Sequence, residues 1–186
     1  MTKRRFFSIC LLLPVVIGFT IGCTNHRKQW AAQVDSLSQK NLLMVKSVKD
    51  SALRNGLRTI KVESGSRLIL LDRYQGSLPI NAQVATILKY AKLHKEAQLI
   101  DDRLDALSST LVTRTDALKN LRTDIESGAW KKENIQSFIA QEKSNENKIQ
   151  LELEKSMEKA FDVKAEFDSL HPFMVHYTDS ILKRGI

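Results

Sequence analysis

The chain is predicted to be all-α: an elongated antiparallel helical hairpin, or coiled coil, with an additional N-terminal helix. Two apolar seams and an uninterrupted stretch carry that prediction. Between Pro79 and Gly128 there is no proline or glycine. Stepping back from Ile125 by alternating fours and threes meets Leu121, Leu118, Arg114, Leu111, Leu107, Leu104, Ile100, Ala97, Leu93 and Tyr90, all apolar or aromatic except Arg114. That spacing keeps one helical stripe facing a partner helix. A second seam of the same spacing runs through Ile135, Ile139, Glu142, Glu146, Ile149, Leu153, Ser156, Ala160, Val163, Phe167 and Leu170. At 1.5 Å per residue, residues 81–127 would form a rod of ~70 Å, more than a compact globule accommodates.

The elements follow in order. Lys3, Arg4 and Arg5 precede a mostly apolar run from Phe6 to Ile21 that ends in the small residue Gly22, the pattern of a secretory signal. The run is broken by Pro14 and Gly18 and is shorter than the ~20 residues needed to span a bilayer. Thr20-Ile21-Gly22-Cys23 resembles the lipobox of bacterial lipoproteins. The resemblance implies cleavage between Gly22 and Cys23, removal of residues 1–22, and a diacylglyceryl group on the Cys23 thiol. Each buried methylene contributes ~0.8 kcal/mol, so two or three acyl chains hold a protein at the membrane where one does not. Residues 23–28 then form the lipidated cysteine and a polar tether. Thr24 follows the cysteine where an acidic residue would favour the inner membrane, so the resemblance implies the outer membrane, facing the periplasm. Cys10 falls in the removed segment, and with Cys23 acylated no cysteine is left for a disulfide.

Removing the signal leaves 26 basic and 21 acidic residues, since Lys3, Arg4 and Arg5 leave the 29 basic residues of the full chain. The surplus is uneven: residues 24–80 hold 10 basic and 4 acidic side chains, residues 81–128 hold 7 of each, and residues 129–186 hold 9 and 10. A positive segment near the anchor suits anionic headgroups along residues 27–73, at about 1 kcal/mol per basic residue close to the surface. A solvated tether kept extended by its charges fits equally. Nucleic acid is a poor partner, because the basic residues are dispersed and form no recognised motif.

The N-terminal helix is placed at 29–56, with Trp30, Val34, Leu37, Asn41, Met44 and Val48 at seam positions and Asn55-Gly56 as its stop. Residues 57–80 form an irregular linker, where Gly65, Gly76 and Pro79 allow either a small hairpin or a broken helix. Residues 81–186 form the hairpin, with Asn81 as N-cap and Pro172 breaking or kinking its second helix. A turn centred on Trp130 sets Ile125 opposite Ile135, Leu121 opposite Ile139, and Leu107 opposite Leu153. The basic interruption Arg114 then falls opposite the acidic interruption Glu146, with Glu142 one turn away. A slipped pairing would strand a charge against leucine, so Arg114 and Glu146 are the expected register pair.

Signals for catalysis are thin. His26 lies in the tether, His94 sits among Lys92, Lys95 and Glu96, and His171 and His176 flank Pro172 without helical ligand spacing. Glu152, Glu154 and Glu158 interleave with Lys155 and Lys159, as on a solvated helix face. No glycine-rich phosphate loop, Gly-x-Ser-x-Gly or paired-histidine motif occurs. No catalytic, cofactor-binding or metal-ligating residue is therefore assigned. The covalent lipid on Cys23 is the one prosthetic group expected. The expected function is that of a lipid-anchored, non-enzymatic cell-envelope protein whose coiled coil binds an envelope protein partner or acts as a spacer. The alternative is a periplasmic helical bundle that binds an apolar ligand or client protein.

Overall fold

Asp50 sets the first boundary in the fold. In the computed structural model, which describes residues 6–74 and 82–184, its carboxylate accepts hydrogen bonds from the backbone N–H of Ala52 at 2.8 Å and of Leu53 at 3.1 Å. These are two of the donors that a helix start leaves unpaired. Helix α1, Phe6–Val48, ends just before it, and α2, Ser51–Arg73, begins just after. Helix α3 is Ala82–Ser127 and α4 is Lys132–Arg184. All the regular structure among the described residues is α-helical, in keeping with the all-α class read from the sequence.

Four boundaries differ from the sequence reading, the first being that residues 23–28, expected as a tether ahead of a helix beginning at 29, lie inside α1. The N-terminal helix stops at Val48, and the expected stop at Asn55-Gly56 lies inside α2. Residues 57–73, expected as an irregular linker or hairpin, are helical; Asp50 nucleates the helix and Ile60, Ser64 and Leu71 give it a buried face. Pro172 does not end α4. A proline inside a helix costs about 3 kcal/mol through its missing N–H and ring clash. Here Met174, Tyr177, Thr178 and Ile181 beyond it are all buried, and that burial offsets the defect. The expected cap Asn81 and residues 75–80 lie outside the described residues.

The chain divides into two compact units. Unit 1 takes the chain up to Leu43 together with Leu111–Asn147. Its core joins Ala31, Val34 and Leu37 of α1 to Leu118, Leu121 and Ile125 of α3 and to Ile135 and Ile139 of α4. The turn between α3 and α4 closes by paired backbone bonds, from Gly128 N–H to Ile125 C=O at 3.2 Å and from Ala129 N–H to Asp124 C=O at 3.0 Å. This closure needs a left-handed residue, and Gly128 supplies it with φ 78°.

Unit 2 takes Met44–Thr110 together with the chain from Lys148 onward. Leu57, Ile60 and Leu71 of α2 are buried in this unit, as are Tyr90, Leu93 and Leu104 of α3 and Leu153, Val163, Phe167 and Met174 of α4. Every apolar residue of the α3 seam, from Tyr90 to Ile125, is buried. In each unit the paired seams are completed by a third helix, α1 in unit 1 and α2 in unit 2.

Candidate functional site

Gly22 and Cys23 lie on the backbone of α1, so the expected cleavage and lipidation point is continuous in sequence with the helix that enters unit 1. One turn further on, the Arg27 guanidinium lies over the α3–α4 turn. A Cβ built on Gly128 would come within 2.6 Å of its nitrogens, the second reason for glycine at that position. Around this end of unit 1 stand aromatic pairs: His26 stacks on Trp30 with centroids 5.9 Å apart, and Trp130 meets Phe138 edge-on at 5.8 Å. Trp30, Gln33, Ile139 and Lys143 line a shallow groove, crossed by a hydrogen bond from Lys143 Nζ to Gln33 Oε1 at 3.2 Å.

The expected register pair is not formed. Arg114 bonds Glu142, and the two side chains are only 19% and 14% exposed. Glu146, buried, instead faces α1, with Lys40 Nζ at 3.6 Å. Arg114 thus reaches the carboxylate one turn nearer the loop than the one a Trp130-centred turn would choose. The reason is the third helix. Once α1 packs against α4, the side of α4 carrying Glu146 is taken by Lys40, and the Arg114 side chain reaches Glu142 along the α3–α4 flank. Asn41 is buried in the same unit, and its Oδ1 has no hydrogen-bond partner among the described residues.

Unit 2 holds a denser polar constellation that the sequence reading missed. The Arg54 guanidinium bonds Asp101 through both side chain and carbonyl, reaches Asp105 at 2.5 Å, and donates from Nε to the Val48 carbonyl at 3.1 Å. Lys61 Nζ adds a bond to Asp101 at 2.7 Å. Burial works to raise the Asp101 pKa, but the bonds and charges of Lys61 and Arg54 outweigh it and hold the carboxyl below its ordinary value. Arg67 donates to Thr178 Oγ1 at 2.9 Å and pairs with Asp179 at 2.6 Å. Complementary stripes were visible in the chain, with Arg54, Arg58 and Lys61 on one helical face and Asp101 and Asp105 on another. What sequence alone lacks is the pairing of α2 with α3.

Two histidines of unit 2, His94 and His171, are packed between helices, whereas His176 is exposed. Ser64, fully buried, donates its hydroxyl to the Ile60 carbonyl and lies 2.9 Å from His94 Nδ1. With that proton committed, the ring nitrogen is the donor and the hydroxyl is the acceptor. His94, expected on a wet face, is half-buried against α2, and a Cβ on Gly65 would meet its ring at 3.2 Å. Tyr90 is fully buried, its hydroxyl 2.6 Å from His171 Nδ1, and its ring stacks with both Phe167 and His171. Burial first, with a smaller push from Glu63 and an opposing pull from Arg67, raises its pKa from 10.0 to about 12. Among the described residues, no group of three or more His, Cys, Asp or Glu is placed to hold a metal ion. Glu152, expected to be balanced within its own helix, pairs with Arg103 of α3 at 2.8 Å.

These contacts redistribute the N-terminal positive charge. Lys40, Arg54, Lys61 and Arg67 are each matched to a carboxylate on α3 or α4. Arg27, Lys28, Lys46, Lys49, Arg58 and Arg73 have no acidic partner among the described residues. No helix among the described residues is long and apolar enough to cross a membrane. Compared with known proteins, the chain matches no family model, no curated protein and no solved structure.

Proposed function

We propose that the protein is a lipid-anchored component of a bacterial cell envelope, held by acyl chains on Cys23 at the outer membrane and facing the periplasm. There it acts as a non-enzymatic helical interaction or spacer module for an envelope protein partner. The observation that carries the reading is the ordered series Lys3-Arg4-Arg5, the apolar run to Ile21, and Gly22-Cys23. Support comes from the helices themselves. Their polar clusters are consumed by bonds between helices: Arg54 with Asp101 and Asp105, Arg114 with Glu142, and Arg67 with Asp179. Such pairing serves alignment rather than the binding of a reacting molecule.

Replacing Cys23 with alanine tests the anchor. The variant should lose the acyl mass and move from the membrane fraction to the soluble one; unchanged retention with unchanged mass would refute it. Proximity crosslinking in intact cells then identifies the partner.

A second reading, a bundle that binds an apolar ligand or client, draws on one feature of unit 2. Leu99, Ile100 and Val163 line an open groove between α3 and α4, rimmed by Glu96, Arg103, Lys159 and Glu166.

A further inference from the structure

We infer that the α3–α4 turn of unit 1 is a second membrane contact: Trp130, Lys131 and Lys132, with Arg27 and Lys28, form a patch that seats on an anionic bilayer surface beside the acyl anchor. The inference rests on the lipid-anchored reading and narrows its headgroup contact from residues 27–73 to one end of one unit.

Position is the first argument. Cys23 and Arg27 lie four residues apart on α1, about 6 Å along the axis. The Arg27 guanidinium in turn lies against Gly128 in the α3–α4 turn. The tip is therefore within one side chain's reach of the helical turn that follows the anchor. Bilayer-held acyl chains at Cys23 place this end of the unit nearest the headgroups.

Chemistry is the second. Arg27, Lys28, Lys131 and Lys132 are all exposed and have no acidic partner among the described residues. Of the nearby acids, Glu126 is already bonded to Arg122 at 3.3 Å, which leaves half-buried Asp124 and Glu133 in the first turn of α4 against four cations. Trp130 stands among them, 37% exposed and braced edge-on by Phe138. An indole flanked by lysines is the pairing that prefers the bilayer interface, where the ring enters the headgroup layer and the ammonium groups meet lipid phosphates. In unit 2, Arg54, Lys61 and Arg67 are instead spent on carboxylates, while the unpaired Lys46, Lys49, Arg58 and Arg73 lie at least 23 residues from Cys23 and beside no tryptophan.

The chain holds two tryptophans, so Trp30→Phe leaves Trp130 as the single indole reporter. The full-length protein, purified from bacterial membranes, would be reconstituted into vesicles of phosphatidylethanolamine and phosphatidylglycerol with brominated acyl chains. Trp130 emission should be quenched there. The quenching should fall in brominated phosphatidylcholine vesicles and in raised salt, and a Lys131→Glu/Lys132→Glu variant should lose most of it while keeping its helical circular dichroism. Equal quenching in neutral and anionic bilayers, unmoved by the charge reversal, would assign it to the tether alone and overturn the proposal. So would an unquenched Trp130 in protein whose Cys23 carries acyl mass, and that result would leave the lipoprotein reading standing. Protein without acyl mass that is still quenched on addition to anionic vesicles would support the patch and remove the anchor.

Discussion

Tyr90 shows how a single side chain can tie stability to pH. Its ring stacks against both Phe167 and His171, which also stack on each other, its hydroxyl bonds His171, and burial raises its pKa from 10.0 to about 12. Between those two values the unfolded chain has released the phenolic proton and the folded chain has kept it. The unfolded state then binds fewer protons, so stability falls as pH rises. The contribution is fully present below pH 10 and disappears on approaching pH 12. Denaturant midpoints measured across this range should drop more steeply for the native chain than for Tyr90→Phe, which has no proton to lose. Parallel curves would show that the phenol is not the titrating group. Asp50 carries a different lesson at the same scale. Its capping role was open to inspection in the sequence, yet Asn55-Gly56 five residues later advertised a helix end as well. Deciding between them took the burial of Leu57 and Ile60, which depends on residues far along the chain.

At the scale of elements, much was legible and the failures share one cause. The α3 and α4 seams were readable because a heptad repeat needs only local spacing, and the structure buries the apolar residues of the α3 seam throughout. Residues that depend on a third helix were not readable. Gly65 looked like a turn residue; it lies inside α2, where the His94 ring comes to 3.2 Å from the place a Cβ would take and would have to shift slightly to admit one. Glu146 looked like the partner of Arg114 because a turn centred on Trp130 sets the two opposite one another, whereas α1 brings Lys40 to Glu146. Energetics should follow the observed pairing. Removing either Arg114 or Glu142 by alanine substitution strands a poorly exposed charge and should cost about 3 kcal/mol, with the double variant losing much less than the sum. Glu146→Leu should be neutral or stabilising by about 1 kcal/mol, since it replaces a buried carboxylate whose partner is distant and 61% exposed. Urea midpoints decide the matter. If Glu146 couples to Arg114 and Glu142 does not, the Trp130-centred register is restored.

For the whole molecule, the question is whether the seams are closed surfaces or reservoirs of apolar binding area. Leu104, Leu111, Leu118, Ile125 and Ile135 are almost completely shielded from solvent. Meanwhile Leu88, Leu99 and Phe161 stand outside the core as scattered exposures, which surfaces tolerate. A helical protein built this way should take up little of an environment-sensitive apolar dye at neutral pH and unfold with a sharp thermal transition. Strong dye fluorescence from the folded protein, abolished by Leu99→Glu, would instead favour the ligand-binding reading. The molecule-wide charge asymmetry was plain in the composition; its use was not, because each bond that consumes it joins helices remote in sequence.

That remoteness has a consequence for how the protein is made. Arg67 is matched by Thr178 and Asp179, 111 and 112 residues later, and Arg54 by Asp101, 47 residues later. A chain produced from its N-terminus therefore gains the α3 partners of α2 about midway through synthesis but the α4 partners, Thr178 and Asp179 among them, only at its end. Closing such distant contacts is slow, and the early segments have little to gain from collapsing on their own. Unit 2 can therefore complete its packing only after the last helix has emerged, so its folding is expected to wait for the end of synthesis.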